Sequence, residues 1–442
     1  MTDSVDQAVL QRAAHMVLEQ AKLQGATASE AGVSHSTGLS VTVRHGDVEV
    51  LEYNKDTSLG LTVYFGDSKA SASTSDLSEQ AIKDAVTAAC GIAKHTEADD
   101  CAGLADKALM STDFPDLSTY HPWDISAEHA IELATECEQA GFDVDKRISN
   151  SEGGSVSSHQ GGRVYANSHG FIGNSTGTRH SMSCTLISED SKGMQRDYWY
   201  DLARDANDLA SVKSIGQRAA ENTLNRLNSQ TIATGKYPVV FAADIAASLF
   251  GQFISAIRGG ALYRQSSFLI DHLGEKIFPE FMHIHEQPHL IKGLGSTSFD
   301  SEGVATTARD IIKEGVLQGY VLDSYSARKL NMTTTGNAGG VHNLTIKHND
   351  LSFNTLLKEM GTGVLVTETM GMGVNIVTGD YSQGAAGFWV ENGEIQYAID
   401  EFTIASNLRD MFMGIQAVAN NIETRSSTKT GAVWIDKMMV AS

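Results

Sequence analysis

The sequence predicts an α+β protein of two domains: an N-terminal α/β domain with an antiparallel sheet over residues 1–229, and a mostly β, barrel-like domain with a buried helix over 230–442. Three observations predict it. A chain of 442 residues that is 41% hydrophobic and 20% charged has the composition of a soluble globular protein and the length for two cores. The first half passes from helical periodicity to strand alternation and back, twice over. At Tyr237–Gly260 (YPVVFAADIAASLFGQFISAIRGG) the polar chain turns apolar, and the rest reads as short glycine-rich strands. Forty-one glycines against five prolines fit many tight turns and few rigid linkers.

Residues 4–23 carry Val5, Ala8, Val9, Ala13, Met16 and Val17 at helical spacing, closed by Gly25. From 26 to 75 the short runs LSVTVRHG, VEVLEYN, LGLTVYFGDSK and ASAST alternate between polar and apolar, as in an antiparallel meander. A helix over 76–95 follows, with its cap near Ser75 and Asp76. The stretch FPDLSTYHPW holds two of the five prolines and separates a second unit of the same order. That unit has a helix over Ser126–Ala140, strands through 160–165, 170–173 and 180–187, and a helix over Asp208–Leu227. Both meanders contain an Asp-Ser-Lys turn, at 67–69 and 190–192. Repeated order at one period suggests an internal duplication, 1–97 and 126–229. Nothing in this domain forms a catalytic constellation.

After the polar joint TIATGK, Pro238–Ala242 reads as a buried strand. Asp244 then serves as N-cap of a helix whose apolar face is Leu249, Phe250, Phe253, Ile254 and Ile257, ended by Arg258 and Gly259-Gly260. Ser248, Gln252 and Ser255, at i, i+4 and i+7, form a small uncharged face that requires a neighbour. Pro238, Asp244 and Gln252 exclude a membrane span here. Five further runs read as strands, with one helical interruption at Ala305–Gly319. Asn392-Gly393 marks a type I′ hairpin.

A net charge of −21 would repel nucleic acid and anionic membrane. The N-terminus shows neither basic nor apolar signal regions, so the expected location is cytoplasmic. Four cysteines without a CxxC pair are expected to be buried free thiols. His285-Glu286-Gln287-Pro288-His289 is a literal HExxH, the zinc-peptidase spacing, but Pro288 is incompatible with the helix that makes the spacing work. Alternation instead puts Phe281, His283 and His285 on one strand face. The competing reading is a self-sufficient metalloenzyme using His285, Glu286 and His289 with an acid such as Glu302. Asp300 and Glu302, at i and i+2, suit either a cation or a polar turn. Tyr263, Arg264 and Ser266, directly after the apolar helix, suit either a groove or a loop satisfying its own backbone. No phosphate-binding glycine motif is present.

From Pro238 onward the chain resembles the TldD/PmbA family, and within it the PmbA (TldE) branch. The resemblance rests on PVVF, GGALYRQSSFLID, LGSTSFDSEGV, YSARKLNMTTTGNAG and GVNIVTGDYSQGAAGFWVENGEI. It implies an α/β domain followed by a barrel-like domain, and a cytoplasmic zinc metallopeptidase formed with a TldD-like partner that degrades unfolded peptides and trims leader peptides. The family's metal motif is HExxxH on a helix early in the second domain, with a later cysteine. This chain has no histidine or glutamate between Ala242 and Asp271, and no cysteine after Cys184. The resemblance therefore implies a subunit without catalytic or metal residues of its own, with zinc in the partner. Ser248, Gln252, Ser255, Tyr263, Arg264, Ser266, Asp300 and Glu302 are the expected groove for substrate or partner. A third reading is a homodimer that binds peptide without cleaving it.

Overall fold

The structure is a computed structural model that describes residues 6–442, apart from the side chain of Asp400. Ser4 and Val5, placed above at the head of the first helix, lie outside the described residues. The first unit runs α1 (Gln7–Leu23), β1 (Ala28–Arg44), β2 (Asp47–Phe65), β3 (Ser68–Thr74), α2 (Glu79–Ala93). The second repeats the order with α3 (Ala127–Phe142), β4 (Ile148–Asn167), β5 (Ile172–Asp190), β6 (Gly193–Ala203) and α4 (Val212–Asn225). The short runs merge into strands of up to 20 residues, because glycines such as Gly38, Gly161, Gly162 and Gly177 lie inside paired strands and not at turns. The cap of α2 is Ser78, whose hydroxyl accepts from Ala81 N, while Asp76 accepts from Ser78 N at 2.8 Å. Asp208 precedes α4, which Ser211 caps.

All six strands pair antiparallel in the order β3-β2-β1-β4-β5-β6, two meanders joined at the β1–β4 seam. Each long seam strand serves two cores. Ala31 and Val33 of β1, with Val164 and Ala166 of β4, pack under α1 and α2. Leu39, Val41 and Val43 of β1, with Val156 of β4, pack under α3 and α4. The two Asp-Ser-Lys segments fall at equivalent hairpins, but two residues out of register: Phe65 pairs with Ser68 and Asp190 with Gly193. Helices α3 and α4 meet through Gly216, where a Cβ would stand 2.0 Å from the Cys137 carbonyl oxygen.

The second domain continues with β7 (Gly235–Phe241), α5 (Ala243–Ala256), α6 (Gly259–Tyr263), β8 (Ile284–Glu286), β9 (Arg309–Lys313), β10 (Val316–Leu317), α7 (Ser324–Lys329), β11 (Leu344–Ile346) and α8 (Phe353–Met360). Then come β12 (Gly363–Met370), β13 (Val374–Asn375), β14 (Asp380–Glu391), β15 (Glu394–Asn407), α9 (Leu408–Met413), β16 (Ile415–Val418), β17 (Thr428–Lys429) and β18 (Val433–Ala441). Strands β12, β7, β18, β15 and β14 pair in that order, and β14 pairs back to β12, closing a five-stranded barrel. A smaller sheet, β10-β9-β8-β11-β17, stands beside it. Phe241, Phe250, Phe253, Phe278 and Phe412 are fully buried in the shared core. The α+β class and the barrel-like second domain agree with the sequence reading.

Three expectations are corrected, on residues 305–319, on the cap of the apolar helix and on its end. Residues 305–319 hold the β9–β10 hairpin and no helix: Glu314 and Gly315 turn the chain at φ 51° and 75°. Helices α7, α8 and α9 were not foreseen. Around the apolar helix, Ala242 and not Asp244 stands at the N-cap, without a side-chain cap, and Asp244 lies in the first turn. Gly259 and Gly260 do not end the helical path but open α6. The helix is buried on one side only: Ala246, Leu249, Phe250, Phe253 and Ile254 face the core, whereas Ser248 and Gly251 are exposed. The Asn392-Gly393 hairpin has both residues at positive φ, 54° and 78°, as type I′ requires. Among the described residues no helix is long and apolar enough to cross a membrane.

Candidate functional site

The HEQPH segment lies on β8 and the turn after it. Alternation sends Glu286 inward, 1% exposed, where it accepts from Arg309 Nε at 2.9 Å, Asn337 Nδ2 at 2.8 Å and His342 N at 2.7 Å. His285 points outward and donates from Nδ1 to Asp310 Oδ1 at 2.7 Å. His289 Nε2 donates to Thr306 Oγ1 at 3.1 Å, the threonine hydroxyl itself donating to Thr297 O. The three side chains diverge, which corrects the reading of His285, Glu286 and His289 as one ligand set. The reason is the strand geometry and Pro288, which remove the helical face on which the spacing depends.

On α5, the Ser248 hydroxyl donates to Ile245 O at 2.7 Å and Ser255 to Gly251 O at 2.9 Å, so both bond back to their own helix. Arg264 Nε donates to Gly260 O and Ser266 Oγ to Arg264 O, which makes that loop locally satisfied. Tyr263 packs edge-on against Tyr325, at 5.7 Å between ring centroids. Asp300 is buried in a turn, accepting from Glu302 N, Val304 N and Ala338 N at 2.8–3.0 Å. Burial pushes its carboxyl up and those donors pull it back. Glu302 accepts from Ser324 N at 3.0 Å, and burial pushes its carboxyl up to about 7. These two acids hold the turn and the start of α7, and they do not converge with α5. Among the described residues only Asp99, Asp100 and Cys101 form a group of three or more whose potential ligand atoms all lie within 4.8 Å of one another. Asp99 is already engaged by Lys329 Nζ at 2.8 Å and the Tyr325 hydroxyl at 2.6 Å, which holds its carboxyl well below the ordinary carboxylate range.

A concavity of about 1160 Å³ lies elsewhere, between the two domains. One wall is β6 and the flank of α4. The other is built from β12, β14 and β15, the first turn of α5, and the loop 421–425. None of Ser248, Gln252, Ser255, Tyr263, Arg264, Ser266, Asp300 and Glu302 lines it. Two arginines tie the walls together. Arg226, at the end of α4, binds Asp197 of β6 and Glu368 of β12, both at 2.6 Å. Arg425 is buried between the rings of Trp199 and Tyr200, 4.0 and 4.4 Å from their centroids; it forks onto Glu423 and donates to Tyr200 O at 2.9 Å. With those acids paired, Asp244 is left at the α5 N-terminus, its Oδ1 accepting from Ile245 N. Water reaches it, but the recess surrounds it with protein, and that burial pushes its carboxyl up despite nearby Arg425.

Strand β12 supplies an open edge in this recess. It pairs with β7 only at Val364–Val366, while Glu368–Met370 continue along β14 on the other side. The edge of β6 is less open: Tyr198 O and Tyr200 O accept from Asn222 and Arg425, and Tyr198 N and Leu202 N donate to Asp197 and Asp201. Sequence reasoning missed the recess because the residues that tie its walls together are far apart in the chain, 142 positions for Arg226 and Glu368 and 225 for Tyr200 and Arg425. The Trp199-Tyr200 pair and the Glu-x-Arg at 423–425 were the available signals.

Comparison with known proteins completes the description. Three family models match: PmbA/TldA metallopeptidase domain 1 over residues 29–93, the central domain over 120–227 and the C-terminal domain over 234–442. "Metalloprotease PmbA" of Escherichia coli is 52% identical over 98% of this chain and 96% of its own length. A crystal structure described as a putative modulator of DNA gyrase from Bacteroides thetaiotaomicron superposes with a TM-score of 0.92 at 28% identity, covering 98% of both chains. TldE from Thermococcus kodakarensis shares the fold, with a TM-score of 0.83 at 19% identity over 97% of this chain and 99% of its own.

Proposed function

The chain belongs to the PmbA/TldD metallopeptidase family, and from that premise we propose that it is the PmbA/TldE-like, non-catalytic subunit of a cytoplasmic zinc metallopeptidase, binding peptide beside a TldD-like subunit that carries the metal. The observation that carries this reading is the chemistry of α5. Its outward face presents Ser248, Gly251, Gln252 and Ser255, two of whose hydroxyls are already bonded to the helix backbone. Imidazole, thiolate and carboxylate are the groups that hold zinc in proteins. This face does not fit the ion, and no step is assigned to zinc in this chain.

What remains for this subunit is to hold substrate. An unfolded or leader peptide lying along the free edge of β12 would gain backbone hydrogen bonds with little sequence preference. Leu365, Phe388 and Ile395 offer apolar contact along the recess, and Asp244 an acceptor. Because Arg226 and Arg425 bridge the walls, the recess is already shaped before any peptide arrives, which lowers the ordering cost of binding.

The test is zinc content and peptidase activity of the purified chain, alone and after mixing with a TldD-like subunit. Activity that requires the partner, with zinc in the partner alone, is expected. Robust activity of this chain by itself with stoichiometric zinc would refute the reading.

A further inference from the structure

A second recess of about 500 Å³ opens on the outer face of the small sheet, next to the first. Ile422 lines both, so the two recesses adjoin at that residue. Its floor is apolar, with Ile346 fully buried beneath it. Its rim is basic. His283, just before β8, and His285 on it alternate with buried Ile284 and share the outward face, while Lys347 and His348 follow β11 and Lys429 ends β17. In a chain of net charge −21, this concentration of cationic groups is out of character with the surface around it.

The side-chain partners leave the rim available. Asp310, the one acid of the lining, is taken by His285 Nδ1 at 2.7 Å. His348 Nδ1 lies 3.1 Å from both the backbone N and a carboxylate oxygen of Asp350, so only its other nitrogen is free of those contacts. Among the described residues neither Lys347 nor Lys429 forms an ion pair. A metal ion would have to sit beside two lysines, and the ligand atoms of these histidines do not gather within 4.8 Å. A bare phosphate would use the rim and waste the floor. The combination suits a carboxylate carried on an apolar body.

We propose that this recess is a subsite for the free α-carboxylate and apolar terminal side chains of a peptide whose upstream residues lie in the first recess. The inference deepens the peptide-binding reading above and rests on it. Lys347 and Lys429 meet the carboxylate as point charges, and Ile422 receives the terminal side chains over the floor that Ile346 supports.

Fluorescence anisotropy on the full chain, without partner or zinc, tests it. The probe is an N-terminally labelled unstructured decapeptide ending in Phe-Leu with a free carboxylate, compared with its C-terminal amide. The amide is expected to bind about tenfold more weakly, as is the acid to the Lys347→Ala/Lys429→Ala variant, from the loss of charged hydrogen bonds. Both lysines are water-accessible, and an unchanged melting temperature controls for folding. Equal binding of acid and amide overturns the subsite and leaves the groove standing. Absence of binding by either peptide overturns both. Dodecanoate that displaces nothing yet loses affinity in the variant would assign the site to fatty acids and overturn the peptide source. Tight zinc chloride binding lost in His283→Ala/His285→Ala would replace the proposal with a metal site.

Discussion

Replacing Arg425 by alanine should cost about 4 kcal/mol of stability, because it strands a buried carboxylate. The guanidinium and the Glu423 carboxylate are only 7% and 9% exposed, and the arginine also donates to Tyr200 O and stacks between two rings. Truncating one partner of a buried ion pair costs roughly 3–5 kcal/mol, chiefly through the charge left behind. Loss of the ring contacts adds about 1 kcal/mol, part of which relaxation recovers. Removing both charges with Arg425→Met and Glu423→Leu should bring stability back to within about 1 kcal/mol of the starting protein. Burial raises the Glu423 carboxyl, but the hydrogen bonds and charge of Arg425 outweigh it and the net shift is downward. This contribution is therefore present above the unfolded value near pH 4.3 and is lost as pH falls through the lower folded value. Urea denaturation followed by tryptophan fluorescence reads all of this, since Trp199 is one of the stacked rings. A single variant that loses less than about 1 kcal/mol, or a double variant no more stable than the single, would refute the account of Arg425 as the clamp between domains.

Three further outcomes are expected. Glu286→Ala should destabilise by about 3 kcal/mol or more, since it leaves three donors unmet, whereas His285→Ala, at a half-exposed pair, should cost under about 1 kcal/mol; thermal melts of the two variants would expose a reversed order. Glu302 has a folded value raised to about 7, so its contribution is complete below pH 4.3 and lost as pH rises to 7; Glu302→Gln should flatten the stability profile in that window by about 2 kcal/mol, read from urea midpoints at successive pH values. Gly251→Ala, in open space on α5, should stabilise by about 0.5–1 kcal/mol, while Gly216→Ala, facing the Cys137 carbonyl, should destabilise by about 2 kcal/mol; melts that rank them the other way would show the helix contacts to be misassigned.

The two helix–meander–helix units were legible because alternation and caps such as Ser126 are local signals. The barrel was legible from β-rich runs and Asn392-Gly393. The β9–β10 hairpin was not, because Ile311, Ile312 and Val316 mimic helical spacing and its turn is Glu-Gly in place of Asn-Gly. Helices α7 and α8 are only six and eight residues long, below the window in which periodicity speaks, although Asp323 and Ser352 cap them openly. The recess was hidden for a different reason. Trp199 and Arg425 meet only through the docking of two domains, and no local pattern encodes that.

The pairing of β7 with β18 also has a consequence in time. Lys236 meets Met439 across the barrel, so the sheet stays open until nearly all of the second domain has left the ribosome. At ordinary elongation rates of about 5–20 residues per second, β7 and α5 wait about 10–40 s for their final neighbour. Throughout that interval Val239, Val240 and Phe241 form an unsealed apolar edge, the kind of surface on which nascent chains aggregate.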